Sequence, residues 1–188
     1  MNKGRGVFLL SMMLIGGLPL AIVYAQTPSV SASQSSFCES FGINRITERK
    51  EAPFFNLKRV DGTFVNLQDL RGKPTLLFFW ATWCQACKEE IALLEKFIKD
   101  QRESLSIWTL VIDGESEKAV QKTIARHRIS LPVLLDVKEK VARNYGVRMV
   151  PTAYLLSEEG LILGVIVGQR NWLSPEASMA IKELFQLR

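Results

Sequence analysis

The sequence predicts an α/β domain with a mixed central sheet flanked by helices, plus an N-terminal β-hairpin. Three observations carry this. Short apolar runs alternate with helical patterns from Thr75 to Tyr145, the arrangement of parallel strands joined by helical crossovers. Two further β-like runs, Thr152–Leu156 and Leu161–Val167, are separated only by Ser157-Glu158-Glu159-Gly160, so part of the sheet is antiparallel. Ahead of the sheet, Asp61-Gly62 lies between Phe54–Val60 and Thr63–Leu67, a strong hairpin signal.

The chain has 188 residues, 47% hydrophobic and 23% charged, which suits one globular domain with a real core. Net charge is +5. Two of the 24 bases, Lys3 and Arg5, precede Gln26, and the rest of the chain carries 22 bases against 19 acids. These charges are mixed along the sequence, which argues against a nucleic-acid-binding patch.

Met1–Gly6 is a short basic segment, and Val7–Tyr24 is uncharged and mostly apolar. Val23-Tyr24-Ala25 resembles a small-residue cleavage site, so residues 1–25 read as a secretory signal, or as a membrane anchor if uncleaved. Either way the folded domain is expected outside the cytoplasm. Residues 26–51 read as a flexible tether, on the strength of the Ser, Thr, Pro and Gln in Gln26–Ser36. Cys38 sits in that segment. It reads as an incidental or half-buried thiol, with a resolving or intermolecular role as the alternative. Residues 52–188 form the expected domain.

Within it, Leu67–Lys73 turns, with Gly72 and Pro74 as punctuation, and Thr75–Trp80 is the first central strand. A helix from Lys88 to about Arg102 carries Ile91, Leu94, Phe97 and Ile98 on one face. Leu105–Ile112 is the second strand. Asp113–Ser116 caps a helix that runs to about His127, and Leu131–Leu135 is the next strand. Asp136 caps a short helix closed by Gly146, a residue suited to the left-handed position after a helix. After the second hairpin, Ser174 and Pro175 start the last helix as cap and first-turn residue. His127, the only histidine, reads as an exposed polar residue at a helix end.

The chemistry is concentrated at Trp83-Cys84-Gln85-Ala86-Cys87. The C-x-x-C pair lies where the first central strand meets a helix. There, free N–H groups and the helix dipole stabilise a thiolate on the first sulfur. The spacing also lets the two sulfurs meet, so the pair can cycle between dithiol and disulfide. A zinc site would need further ligands at suitable spacing, and none is found. A purely structural disulfide closing so small a loop would stabilise little. Glu90 falls between Leu94 and Phe97 on the apolar helix face at ~100° per residue. It reads either as a border residue reaching water or as a partly buried acid, raised in pKa, that exchanges protons with the cysteines.

These motifs together resemble the thioredoxin fold and, within it, the TlpA/ResA/CcmG-like thiol-disulfide oxidoreductases. The resemblance rests on Phe79-Trp80-Ala81-Thr82-Trp83-Cys84-x-x-Cys87. It rests also on Ala52-Pro53-x-Phe55 through Asp69-Leu70-Arg71-Gly72-Lys73-Pro74, and on Tyr145-Gly146-Val147 through Val150-Pro151-Thr152. It implies that Cys84 is the nucleophile, Cys87 the resolving cysteine and Glu90 the acid. It further implies a cis-proline at Pro151, with the Val150 backbone open to a substrate strand. Trp83, Gln85 and Ala86 are then substrate-facing. Two departures stand out: Phe78 replaces the buried Asp of ordinary thioredoxins, and Gln85-Ala86 lacks the proline many relatives have between the cysteines.

The resemblance implies an exported reductase of protein disulfides in c-type cytochrome maturation, with apocytochrome c as substrate and no cofactor. It implies re-reduction by a CcdA- or DsbD-type membrane protein, at the periplasmic or extracytoplasmic face of a bacterial inner membrane. An oxidase or isomerase role is the first alternative; no histidine precedes Cys87 and no helical insertion is present. A peroxiredoxin-like peroxidase would place Pro and Thr or Ser ahead of the cysteine at a spacing absent here. A copper metallochaperone would need a further His or Met near the thiols.

Overall fold

The computed structural model describes residues 36–101 and 104–187. The expected signal or anchor and the tether's first part, 26–35, lie outside them. Among the described residues no helix is long and apolar enough to cross a membrane.

Strand β4 (Thr75–Trp80) is the centre of the fold, and every one of its residues is buried. A strand covered on both faces can be apolar throughout, which is why Leu76 to Trp80 shows no polar alternation. It pairs in parallel with β5 (Ser106–Val111), which pairs in parallel with β6 (Val133–Leu135). On its other side it pairs antiparallel with β7 (Thr152–Leu156), and β7 with β8 (Ile162–Val167). The two-residue β1 (Asn44–Arg45) closes that edge against β8. The six-stranded order is β1-β8-β7-β4-β5-β6, the mixed sheet expected from the sequence. The β2–β3 hairpin (Asn56–Lys58, Phe64–Asn66) is a separate two-stranded unit, bridged to the β6 edge by Arg59 opposite Leu134.

Side chains alternate across β4. Leu76, Phe78 and Trp80 join one core layer with α1 (Phe37–Phe41), α2 (Gln85–Phe97), α3 (Glu117–His127) and α5 (Pro175–Phe185). Leu77 and Phe79 join the other, with the hairpin, a 3-10 turn over Leu67–Leu70 and α4 (Lys140–Tyr145). Phe78, which stands where ordinary thioredoxins have an acid, is a core side chain at 1% exposure.

Three local expectations are met. Asp136 accepts from the Val141 and Ala142 N–H groups at the start of α4, and Gly146 takes the left-handed φ of 74° after it. His127 is exposed. Ser174 and Pro175 start α5, although the Ser174 side chain makes no cap hydrogen bond to the helix.

Others are corrected. The tether expected over 26–51 is structured from Ser36 onward. Ser36 caps α1, Cys38 and Phe41 are buried, and α1 packs on α5. The low-complexity composition stops where Cys38, Phe41 and Ile43 supply apolar anchors. Gly164 makes room for this segment, since a Cβ there would lie 2.7 Å from Ile43. Cys38 is accordingly fully buried rather than half-buried, and its thiol donates to the Ala180 carbonyl. The first helix of the central domain begins at Gln85, not Lys88, because Cys84 is itself the cap. Asp113 does not cap α3; its carboxylate turns towards Thr82 instead.

Candidate active site

Cys84 sits at the end of the turn leaving β4, at the N-cap of α2, and bonds to Cys87 as a disulfide. Its sulfur accepts the Cys87 N–H at 3.1 Å. A helix N-terminus leaves N–H donors without intrahelical partners, and a sulfur at the cap receives one of them together with the positive end of the dipole. A cysteine at such a position is one where a thiolate is favoured once the disulfide is reduced. Cys84 is 7% exposed and Cys87 is 0% exposed, so the first sulfur is the one nearer the surface. Trp83 beside it is exposed at 69%, Gln85 is exposed and Ala86 half-buried.

The turn carrying Cys84 is held from behind. Asp113, just past the end of β5, accepts the Thr82 N–H at 3.0 and 3.2 Å with its two oxygens and also accepts the Thr82 hydroxyl. Lys88 reaches back from α2 to donate to the Thr82 carbonyl at 3.0 Å. Thr82 is therefore fixed at both backbone groups, two residues before Cys84. Sequence reading missed this clamp, because an aspartate before a helix has the same signature whether it caps that helix or reaches a neighbouring loop.

Val150 is half-buried beside Pro151, and the Val150–Pro151 peptide bond is cis. The Pro151 carbonyl accepts the Gly168 N–H, leaving this loop next to the end of β8.

Glu90 is 1% exposed on the inner face of α2. The border-residue alternative is thereby excluded: the side chain does not reach water. One oxygen, Oε1, accepts both the Trp172 indole N–H at 2.7 Å and the Arg170 backbone N–H at 3.2 Å. The other, Oε2, has no hydrogen-bond partner among the described residues. Burial pushes the carboxyl up to about 7, against the opposing pull of the Trp172 and Arg170 donors and the Arg170 charge. Glu90 is one helical turn beyond Cys87, so the two share the helix face that looks into the core. Arg170 and Trp172 were not singled out in the sequence. The available signal was a lone tryptophan in the polar loop Gly168-Gln169-Arg170-Asn171-Trp172.

A redox-active C-x-x-C disulfide at a strand-to-helix junction, in a mixed sheet of this order, defines a thiol-disulfide oxidoreductase of the thioredoxin fold. The chain belongs to the AhpC/TSA family, whose profile matches residues 49–165. It is similar to the thioredoxin-like protein YneN of Bacillus subtilis (strain 168), 37% identical over 125 residues covering 65% of this chain and 73% of YneN. The thiol-disulfide oxidoreductase ResA of the same strain is 32% identical over 168 residues, covering 89% of this chain and 88% of ResA. Among solved structures, a chain described as a thiol:disulfide interchange protein DsbE, from Chlorobium tepidum, superposes with a TM-score of 0.65 at 26% identity. That match covers 74% of this chain and 98% of the other. The expected ResA/CcmG-like relationship therefore holds.

Proposed function

We propose that the chain is an exported reductase of protein disulfides in which Cys84 is the nucleophile, Cys87 the resolving cysteine and Glu90 the acid. The observation that carries this reading is the Cys84 sulfur capping α2, with a buried, half-satisfied carboxyl one turn beyond its partner cysteine. The Cys84 thiolate attacks one sulfur of a substrate disulfide, forms a mixed disulfide and releases one substrate thiolate. Cys87, deprotonated, then attacks the Cys84 sulfur and releases the second substrate thiolate. Two electrons pass to the substrate, and the enzyme is left with the Cys84–Cys87 bond. Glu90, protonated near neutral pH, supplies a proton as negative charge develops on the sulfurs and takes one back when the dithiol is regenerated.

Exposed Trp83, Gln85 and half-buried Ala86 offer a surface for an extended substrate chain, and the family resemblance assigns Val150 and Pro151 to the same surface. The basic, then apolar, segment 1–25 supports export, to the periplasm or the extracytoplasmic face of a bacterial inner membrane. Outside the cytoplasm a reductant needs an electron supply, which a CcdA- or DsbD-type membrane dithiol would provide. The resemblance to ResA and CcmG favours apocytochrome c as the substrate and c-type cytochrome maturation as the pathway.

The test is a trap combined with a potential. Cys87→Ala in the native host should accumulate mixed disulfides through Cys84 with C-x-x-C-H-bearing proteins. The Cys84/Cys87 couple should equilibrate well below the glutathione range. An empty trap counts against a reductase, and a potential in the DsbA range moves the assignment to an oxidase.

A further inference from the structure

Glu90 is held by residues that lie far from it in sequence and outside the family match. Its donors, Arg170 and Trp172, follow residue 165, where that match ends, and the element behind them precedes residue 49, where it begins. Trp172 is 1% exposed. Its indole packs edge-on with Phe41 at 5.1 Å and at a tilt with Phe97 of α2 at 5.4 Å. The Arg170 guanidinium donates through Nε to the Phe41 carbonyl at 2.9 Å and through Nη1 to the Gln169 carbonyl. Gly42 leaves the space for it: φ there is +84°, and a Cβ would fall 2.5 Å from Arg170 Nη2. The last residues of α1 thus touch both donors of Glu90 Oε1. A five-residue helix has no stability of its own and exists only while packed. Loosening it would loosen the two donors together.

We infer that Trp172 is a positioning residue for Glu90 and that α1, through Phe41, is the element that keeps it in place, so that the N-terminal helix sets the acid on which thiol proton transfer depends. The inference rests on the reading of Glu90 as the proton-exchanging acid. The mechanism is geometric. Two donors on one oxygen fix the carboxyl plane and turn Oε2 away from them, leaving it the free proton site. The charge that faces Glu90 is Arg170, from the loop before α5. On α2, the thiols of Cys87 and Cys84 are the redox pair itself, Glu89 is exposed and Lys88 is engaged with Thr82. On α5, Glu183 is turned to Arg45 and Cys38, and on α1 Glu39 is exposed.

Three measurements test this. In the unaltered protein, the Trp172 indole N–H resonance should titrate in step with the Glu90 carboxyl and become pH-independent in Glu90→Gln. Trp172→Phe keeps an aromatic ring in the slot but removes the donor. It should move the Glu90 midpoint upward by about half a pH unit, roughly a threefold change in ionised fraction, and carry the pH–rate profile with it. In the Glu90→Gln background the same substitution should leave the profile unmoved. Phe41→Leu should produce a smaller upward shift. A flat indole resonance, or an unmoved Glu90 midpoint in Trp172→Phe, overturns the inference. Should Trp172→Phe fail to fold, the indole titration of the parent decides alone. If the midpoint moves but the pH–rate profile does not follow in either background, Trp172 positions Glu90 and it is the acid–base reading of Glu90 that fails.

Discussion

Among the described residues the protein buries two acids, Glu90 and Asp136, and they are held in opposite ways. Asp136 is 0% exposed and each of its oxygens accepts a separate helix N–H, from Val141 at 2.9 Å and Ala142 at 2.8 Å. Glu90 is 1% exposed, and both of its donors converge on one oxygen while the other has no partner among the described residues. Burial raises both carboxyls. A carboxylate satisfied at both oxygens is spent on structure, here the start of the helix that leads into the Pro151 loop. A carboxyl left half-satisfied keeps a site for a proton. Leaving a buried acceptor without a partner costs about 1–3 kcal/mol, which makes the second arrangement a stability sacrifice, as the acid role proposed for Glu90 would require.

The comparison breaks most sharply at Asp136. Asp136→Ala leaves two buried N–H donors orphaned and should destabilise the fold by about 3 kcal/mol in urea unfolding, with turnover per folded molecule close to the parent's. A loss of turnover without a loss of stability would mean that the two acids are alike.

The next largest effect is the pH dependence of stability. In the folded chain Glu90 titrates at about 7 against an ordinary 4.5. A raised acid binds its proton more tightly folded than unfolded. Its burden on folding is therefore absent below pH 4.5, grows as pH rises through the window between those two values, and is complete above about pH 7. The full burden is of order 3 kcal/mol. Glu90→Gln should flatten that part of the stability curve and leave the molecule more stable than the parent at pH 8. A parent curve without the decline would remove the buried acid from the account.

Cys38 sharpens the contrast as a buried thiol for which no chemical role is proposed. Its thiol is pushed up, by burial first and then by the nearby Glu183 charge, so it is a poor nucleophile. Cys38→Ser should cost about 1–2 kcal/mol, since a hydroxyl replaces an apolar sulfur in a dry site, yet keep activity within about twofold. A tenfold activity loss would make it a relay cysteine. The smallest effect is expected at the clamp on Thr82. Asp113→Asn keeps the shape but weakens the charge-assisted bonds by about 1 kcal/mol, measurable as a modest loss of stability and faster opening of the turn in hydrogen exchange.

The two acids also mark how far the sequence could be read. Asp136 was legible as a cap because its signal is local, an aspartate a few residues before a short pattern ended by Gly146. Glu90 was legible as an acid on an apolar face because α2 is long enough for its periodicity to place it. The β4 run and the C-x-x-C junction were legible for the same reason, as strong local patterns. What holds Glu90 was not: Trp172 is 82 residues away, in a loop with no periodicity. Nor was α1, because five residues between a Ser-rich stretch and a glycine give no helical repeat, and the helix is held by tertiary packing. The segment Asp113–Ser116 reads as a cap, and Ser116 does occupy the N-cap position of α3; that Asp113 is a clamp is not legible, because a cap and a clamp look alike until the fold brings Thr82 alongside.

The claim at the centre is that Glu90 governs the protons of the Cys84/Cys87 pair. The direct measurement is the thiol titration of the reduced protein, followed by thiolate absorbance, alongside its pH–rate profile, for parent and Glu90→Gln. Glu90→Gln removes a charge that opposes a second negative charge on the sulfurs. The apparent thiol pKa should therefore fall, and turnover should slow, in a variant that remains folded. If both curves overlay those of the parent, Glu90 is a bystander and its free oxygen has no part in the reaction.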